Sequence, residues 1–105
     1  MLERVNLKLD ILMIDRIIKS NKKYLKREQL QLDQLHHNFK MLLEDVYING
    51  HEQLISQIIE LMDSMDKYKN NIRLINKTLF TLQCELEHLE KQLELYLSDD
   101  ELENV

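Results

Sequence analysis

The chain has 105 residues with no proline, one glycine, no tryptophan and one cysteine. So small a stock of turn formers cannot build the hairpins and crossovers of a multi-stranded sheet, and Rossmann, P-loop and barrel enzymes are not expected. A hydrophobic content of 44% and a charged content of 31% set the chain apart from disordered sequences, and with two Phe and four Tyr to fill a core, an elongated helical protein is favoured over a globule. The net charge of −5 is uneven: residues 1–50 hold nine Lys and Arg against seven Asp and Glu (+2), residues 51–105 five against twelve (−7). That division suits two arms that attract each other or a charged partner, and it argues against a general nucleic-acid binder.

In the first arm, apolar residues recur at alternating steps of four and three through Leu7, Ile11, Ile14, Ile18, Asn21, Leu25, Glu28, Leu32, Leu35, Phe39, Leu42 and Val46, with only Asn21 and Glu28 polar. The apolar run Ile11 to Ile14 is bracketed by Asp10 and Asp15. It is too short and too charged for a secretory core or a membrane span, so no ordinary export signal is expected and the chain is expected to be cytoplasmic when made. Arg16, Lys19, Lys22, Lys23, Lys26 and Arg27 form a basic belt, read either as a solvated face or as a surface for an acidic partner.

At Ile48-Asn49-Gly50-His51-Glu52 the pattern is interrupted: Gly50 can take the positive φ that ends a helix, and Asn49 with Glu52 has capping-box spacing. The second arm resumes through Leu54, Ile58, Leu61, Met65, Tyr68, Ile72, Ile75, Leu79, Leu82, Leu86, Leu89, Leu93 and Tyr96. A seam of this length predicts long helices packed as a coiled coil. If the chain folds back at Gly50, seam residues whose numbers add to 100 face each other, from Val46 with Leu54 to Leu7 with Leu93. The alternative, one continuous helix in a parallel dimer, is disfavoured by the glycine. The prediction is therefore an all-α, antiparallel two-helix hairpin of the coiled-coil type. It forms one domain over residues 1–105: helix one about 3–48, turn about 49–51, helix two about 52–98 and an acidic tail at 99–105.

The register sets Asn21 opposite Leu79 and Glu28 opposite Ile72, read either as a device for specific assembly or as an imperfect, wet seam. Apolar residues also lie off the seam: Leu12, Met13, Ile17, Leu43 and Ile48 on the first arm, Ile55, Ile59, Met62, Leu74 and Phe80 on the second. Ile55, Ile59 and Met62 keep helical spacing, and with Leu43 and Phe80 they are the candidate partner interface through which hairpins join into a larger helical bundle. Of the four histidines, His36, His37, His51 and His88, none lies three or four residues from another, and no concave pocket is expected. No metal, cofactor or catalytic residue is predicted, and the protein is read as a non-enzyme. Cys84, beside Glu85 and Glu87, is read as a half-buried small hydrophobe ahead of a reactive thiol. Eight acidic residues against Lys91 alone between Glu85 and Glu103 predict a fraying helix end.

The chain length, the two long helices, the x-x-Gly turn at Ile48-Asn49-Gly50 and Tyr96 followed four residues later by Asp100 together resemble the WXG superfamily of type VII secretion. In that family the turn carries Trp-x-Gly and the C-terminal arm a Tyr-x-x-x-Asp/Glu motif that contributes to export. The resemblance implies a turn at Ile48 and Gly50 and an export motif at Tyr96 and Asp100. Tyr24 and Glu28 have the same spacing within the first arm, and position distinguishes the C-terminal copy. With Ile48 where the family has tryptophan, the chain is most similar to the small helical partners of LXG-type toxins. That implies binding to a toxin's helical N-terminal domain, with or without a second small hairpin or a copy of itself, and export without a cleaved signal peptide. The rival reading is a cytoplasmic coiled-coil scaffold or adaptor; a nucleic-acid accessory protein comes third.

Overall fold

The computed structural model describes the backbone of residues 2–103 and the side chains of residues 2–97. Helix α1 spans Leu2–Asn49, a short 3₁₀ turn covers Glu52–Leu54, and helix α2 spans Ile55–Glu103. Among the described residues there is no strand. The molecule is an all-α helical hairpin of coiled-coil character, and the continuous-helix alternative is excluded by the break at Gly50 and His51.

The break shows how one glycine turns the chain. Gly50 has φ 66° and its N–H donates to the carbonyl of Val46 at 3.1 Å, the bond of a left-handed helix cap. His51 follows at φ −79° and ψ 70°, with the Glu52 N–H bonded to the Gly50 carbonyl at 2.9 Å, an inverse γ-turn. The Leu54 N–H then bonds to the His51 carbonyl at 3.0 Å and opens the second arm as a 3₁₀ turn.

Two sequence expectations change here. Asn49 and Glu52 make no capping box: Asn49 is still the last residue of α1, where its side chain leans back along the helix, and its Nδ2 donates to Asp45 Oδ1 at 2.7 Å. No side chain caps the 3₁₀ turn. The second helix also begins and ends later than expected, at Ile55 and Glu103, so that it runs into the segment read as an acidic tail. Helical hydrogen bonding continues there despite the like charges.

The chain divides into two compact units. The turn unit is Tyr24–Asn76; the open-end unit joins Met1–Lys23 to Lys77–Val105. In the turn unit Glu28, Ile58, Met65 and Ile75 are buried, and the remaining seam positions from Leu25 to Ile72 are half-buried. In the open-end unit Ile18 and Leu79 are buried, with Leu7, Ile11, Ile14, Asn21, Leu82, Leu86, Leu89 and Leu93 half-buried. Solvent access thus follows the predicted seam from Leu7 to Leu93, while its last predicted position, Tyr96, is exposed. Among the described residues no large side chain is completely enclosed, the physical limit of two helices that share a single stripe.

Candidate functional site

Without an enclosed core, the outer faces become the candidate site. In the turn unit Ile55, Ile59 and Met62 lie on successive turns of α2 and are 45%, 54% and 47% exposed. Leu43, assigned to the same interface, is half-buried and so has less area to offer. A shallow groove between the two arms of this unit, lined by Met41, Leu42, Gln57, Glu60, Leu61 and Ser64, includes none of the three and lies on another face of α2. Phe80 belongs to the open-end unit and is 69% exposed. The structure therefore gathers Ile55, Ile59, Met62 and Leu43 into one unit and places Phe80 in the other.

The open-end unit carries a second apolar face. Leu2, Val5, Leu9, Leu12, Met13 and Ile17 are all exposed on α1. Leu12, Met13 and Ile17 stand out in the sequence as off-seam residues; Leu2, Val5 and Leu9 do not. The signal that could have found them is the spacing of three and four from Leu2 to Leu12, opposite the seam residues of the same helix. A shallow depression here is bordered by Leu9, Leu12, Met13 and Arg16.

Tyr96, the first residue of the candidate export motif, is 39% exposed, and its hydroxyl donates to Glu3 Oε2 across the hairpin at 2.7 Å. Those residue numbers add to 99, one short of the predicted register sum. Asp100, the second residue of the motif, lies outside the residues whose side chains are described. The bond between Tyr96 and Glu3 left no trace in the apolar periodicity, because a polar pair at the end of a seam carries no hydrophobic signal.

The polar seam residues settle differently. Asn21 Nδ2 donates back to the Ile17 carbonyl at 2.9 Å, so its amide is satisfied by its own helix. Glu28 is only 7% exposed; its carboxylate accepts from the Tyr24 hydroxyl, while Oε2 is buried with no partner. That hydrogen bond, and next the negative charge of Glu28, raise the pKa of Tyr24 above the ordinary tyrosine value.

Of the basic residues, Arg16, Lys19, Lys22 and Lys23 lie in the open-end unit, and Lys26 and Arg27 in the turn unit; all are exposed. Lys19 pairs with Asp15 at 2.9 Å, a solvated i, i+4 pair. Cys84 is exposed, which corrects its reading as half-buried. Among the described residues no three His, Cys, Asp or Glu side chains gather in a metal-binding arrangement, and no helix is long and apolar enough to cross a membrane. No family model matches the chain, and no characterised protein or solved structure matches it.

Proposed function

We propose that the protein acts by binding rather than catalysis, as a helical partner of an LXG-type toxin whose export by type VII secretion it supports. The observation that carries the binding part is the exposed Ile55, Ile59 and Met62 stripe on a hairpin in which, among the described residues, no large side chain is completely enclosed. Apolar area of this kind is stabilised by the matching face of another helix. The secretion part rests on the resemblance in length, turn and C-terminal motif. Ile55, Ile59 and Met62 dock the toxin's helical N-terminal domain, the basic residues from Arg16 to Arg27 meet acidic groups on the partner, and Tyr96 with Asp100 addresses the complex to the export machinery. The chain is made in the cytoplasm and needs no cofactor for this role.

Ile59→Asp places a charge in the stripe while sparing the seam. It is expected to abolish capture of the partner from the native host, with the helical circular dichroism of the free protein unchanged; an intact complex would refute the interface. Tyr96→Ala is expected to leave the complex intact and stop export of the partner, and undiminished export removes the motif from the reading. The bond from Tyr96 to Glu3 favours a second reading, because it gives this tyrosine a structural task that needs no export. On that reading the protein is a cytoplasmic coiled-coil scaffold, and capture from the host returns cytoplasmic machinery in place of a toxin.

A further inference from the structure

The line of Ile55, Ile59 and Met62 on α2 does not end at Met62. Continued on the same steps of four and three, it runs through Asp66, Lys69 and Arg73, all exposed and all within the turn unit. From Ile55 to Arg73 is about five full helical turns, so the six positions share one face. That face is banded: three apolar residues, then one anion, then two cations. The α1 line that flanks the seam on the same side, away from the groove at Asn38 and Ser64, holds Lys40, Asp33 and Lys26. Its last two members repeat the order of anion and then cation with distance from the turn. Among the described residues none of Lys26, Lys69 and Arg73 pairs with a carboxylate, so their charge is open to a group from outside the chain.

A docked helix is stabilised by burying the apolar band, and a like charge set against Asp66, Lys69 or Arg73 removes part of that gain. The bands therefore choose among apolar helices. This chain's own stripes are not the complement. Laid parallel, Val5, Leu9 and Leu12 match Ile55, Ile59 and Met62, and Arg16 meets Asp66, but Lys19 then falls on Lys69 and Lys23 on Arg73. The α2 stripe laid parallel on a copy of itself sets each charge against its own kind.

We infer that the occupant of this face is a helix of a different protein, with apolar residues on steps of four and three, a Lys or Arg four residues further along, and Asp or Glu three and then four residues beyond that. The order runs outward from the turn of the hairpin, whichever way the docked helix points. This inference rests on the reading of the stripe as a docking surface and adds the chemistry of its occupant. Ile55, Ile59 and Met62 hold the helix; Asp66, Lys69 and Arg73 select it and fix its register.

The test uses the full chain and two synthetic helical peptides, with binding read by fluorescence anisotropy. Both peptides carry leucines and one lysine on that spacing; one completes it with two glutamates, the other with two lysines. The glutamate peptide is expected to bind about tenfold more tightly than the lysine peptide, and Lys69→Glu combined with Arg73→Glu to invert the preference while the helical circular dichroism is unchanged. Ile59→Asp is expected to weaken both peptides on the order of a hundredfold. Equal affinities, or a preference that survives the charge reversal, overturn the inference; if Ile59→Asp still releases both peptides, the docking reading stands without it. Binding of both peptides that is indifferent to Ile59→Asp removes the stripe from both readings. No binding of either peptide overturns the inference and leaves the docking reading to the capture experiment. A wild type at twice the chain mass by light scattering, which the glutamate peptide does not dissociate, assigns the face to a second copy and overturns the inference as well. In the complex captured from the native host, carbodiimide is expected to couple Lys69 to a carboxylate of the partner, and a partner coupled only elsewhere overturns the placement.

Discussion

The turn unit and the open-end unit share one heptad seam, yet each handles its polar layer in its own way. In the open-end unit Asn21 folds its amide back onto the Ile17 carbonyl and stays half-buried, so the layer is satisfied within one helix. In the turn unit Glu28 is sealed in with one oxygen paired to Tyr24 and the other unpaired. A short amide can reach the carbonyl one turn back, whereas a carboxylate has no proton to offer its own backbone and must find a donor elsewhere. The two positions read alike as seam breaks but differ in what they do to stability.

The largest expected effect follows from that contrast. Glu28→Leu removes a buried, half-satisfied carboxylate from a seam position and is expected to stabilise the hairpin by about 1–3 kcal/mol in urea unfolding. Asn21→Leu is expected to change it by less than about 1 kcal/mol, because the amide it removes is already satisfied. Equal gains from the two substitutions would erase the distinction between the layers.

A smaller loss is expected at the turn. Gly50 holds φ 66° with nothing within 4 Å of the place a Cβ would occupy, so Gly50→Ala meets backbone strain and no clash. It is expected to cost about 1–2 kcal/mol. Hydrogen exchange would locate the loss: amide protection should fall around residues 46–58 in the turn unit and hold near Leu7 and Leu93 in the open-end unit.

The smallest effect is one of pH. The folded chain raises the pKa of Tyr24 because its hydroxyl donates to Glu28. The stabilisation is therefore fully present below the pKa of an unfolded tyrosine and is lost as pH rises through the higher folded value. Absorbance titration of tyrosinate should contain a late-ionising component from Tyr24, and Tyr24→Phe should diminish it. An undiminished late component in the variant would assign it to another residue.

Much of this was legible in the sequence because the relevant rules are local. Helical spacing marks the seam from Leu7 to Leu93, and every position in it proves buried or half-buried. The lone glycine marks the reversal, since few other residues enter the left-handed region at low cost. The Asn49 and Glu52 capping box failed because the spacing does not say on which side of the break Asn49 falls. Leu2, Val5 and Leu9 were not legible because the helical period on the first arm marks the seam first, and a second face on α1 of the open-end unit competes with it for the same signal.

By itself the sequence determined two long helices, their shared apolar seam and a reversal at Gly50, since each follows from the period of the helix and the freedom of a residue without a Cβ. Only the tertiary structure decided that Tyr96 bonds to Glu3, that Glu28 is sealed with an unpaired oxygen, and that Cys84 stands exposed while Leu43 is half-buried. Polar partners and the depth of flanking residues depend on what the second arm brings alongside, and residues far apart in the chain enter that choice only once the helices have packed.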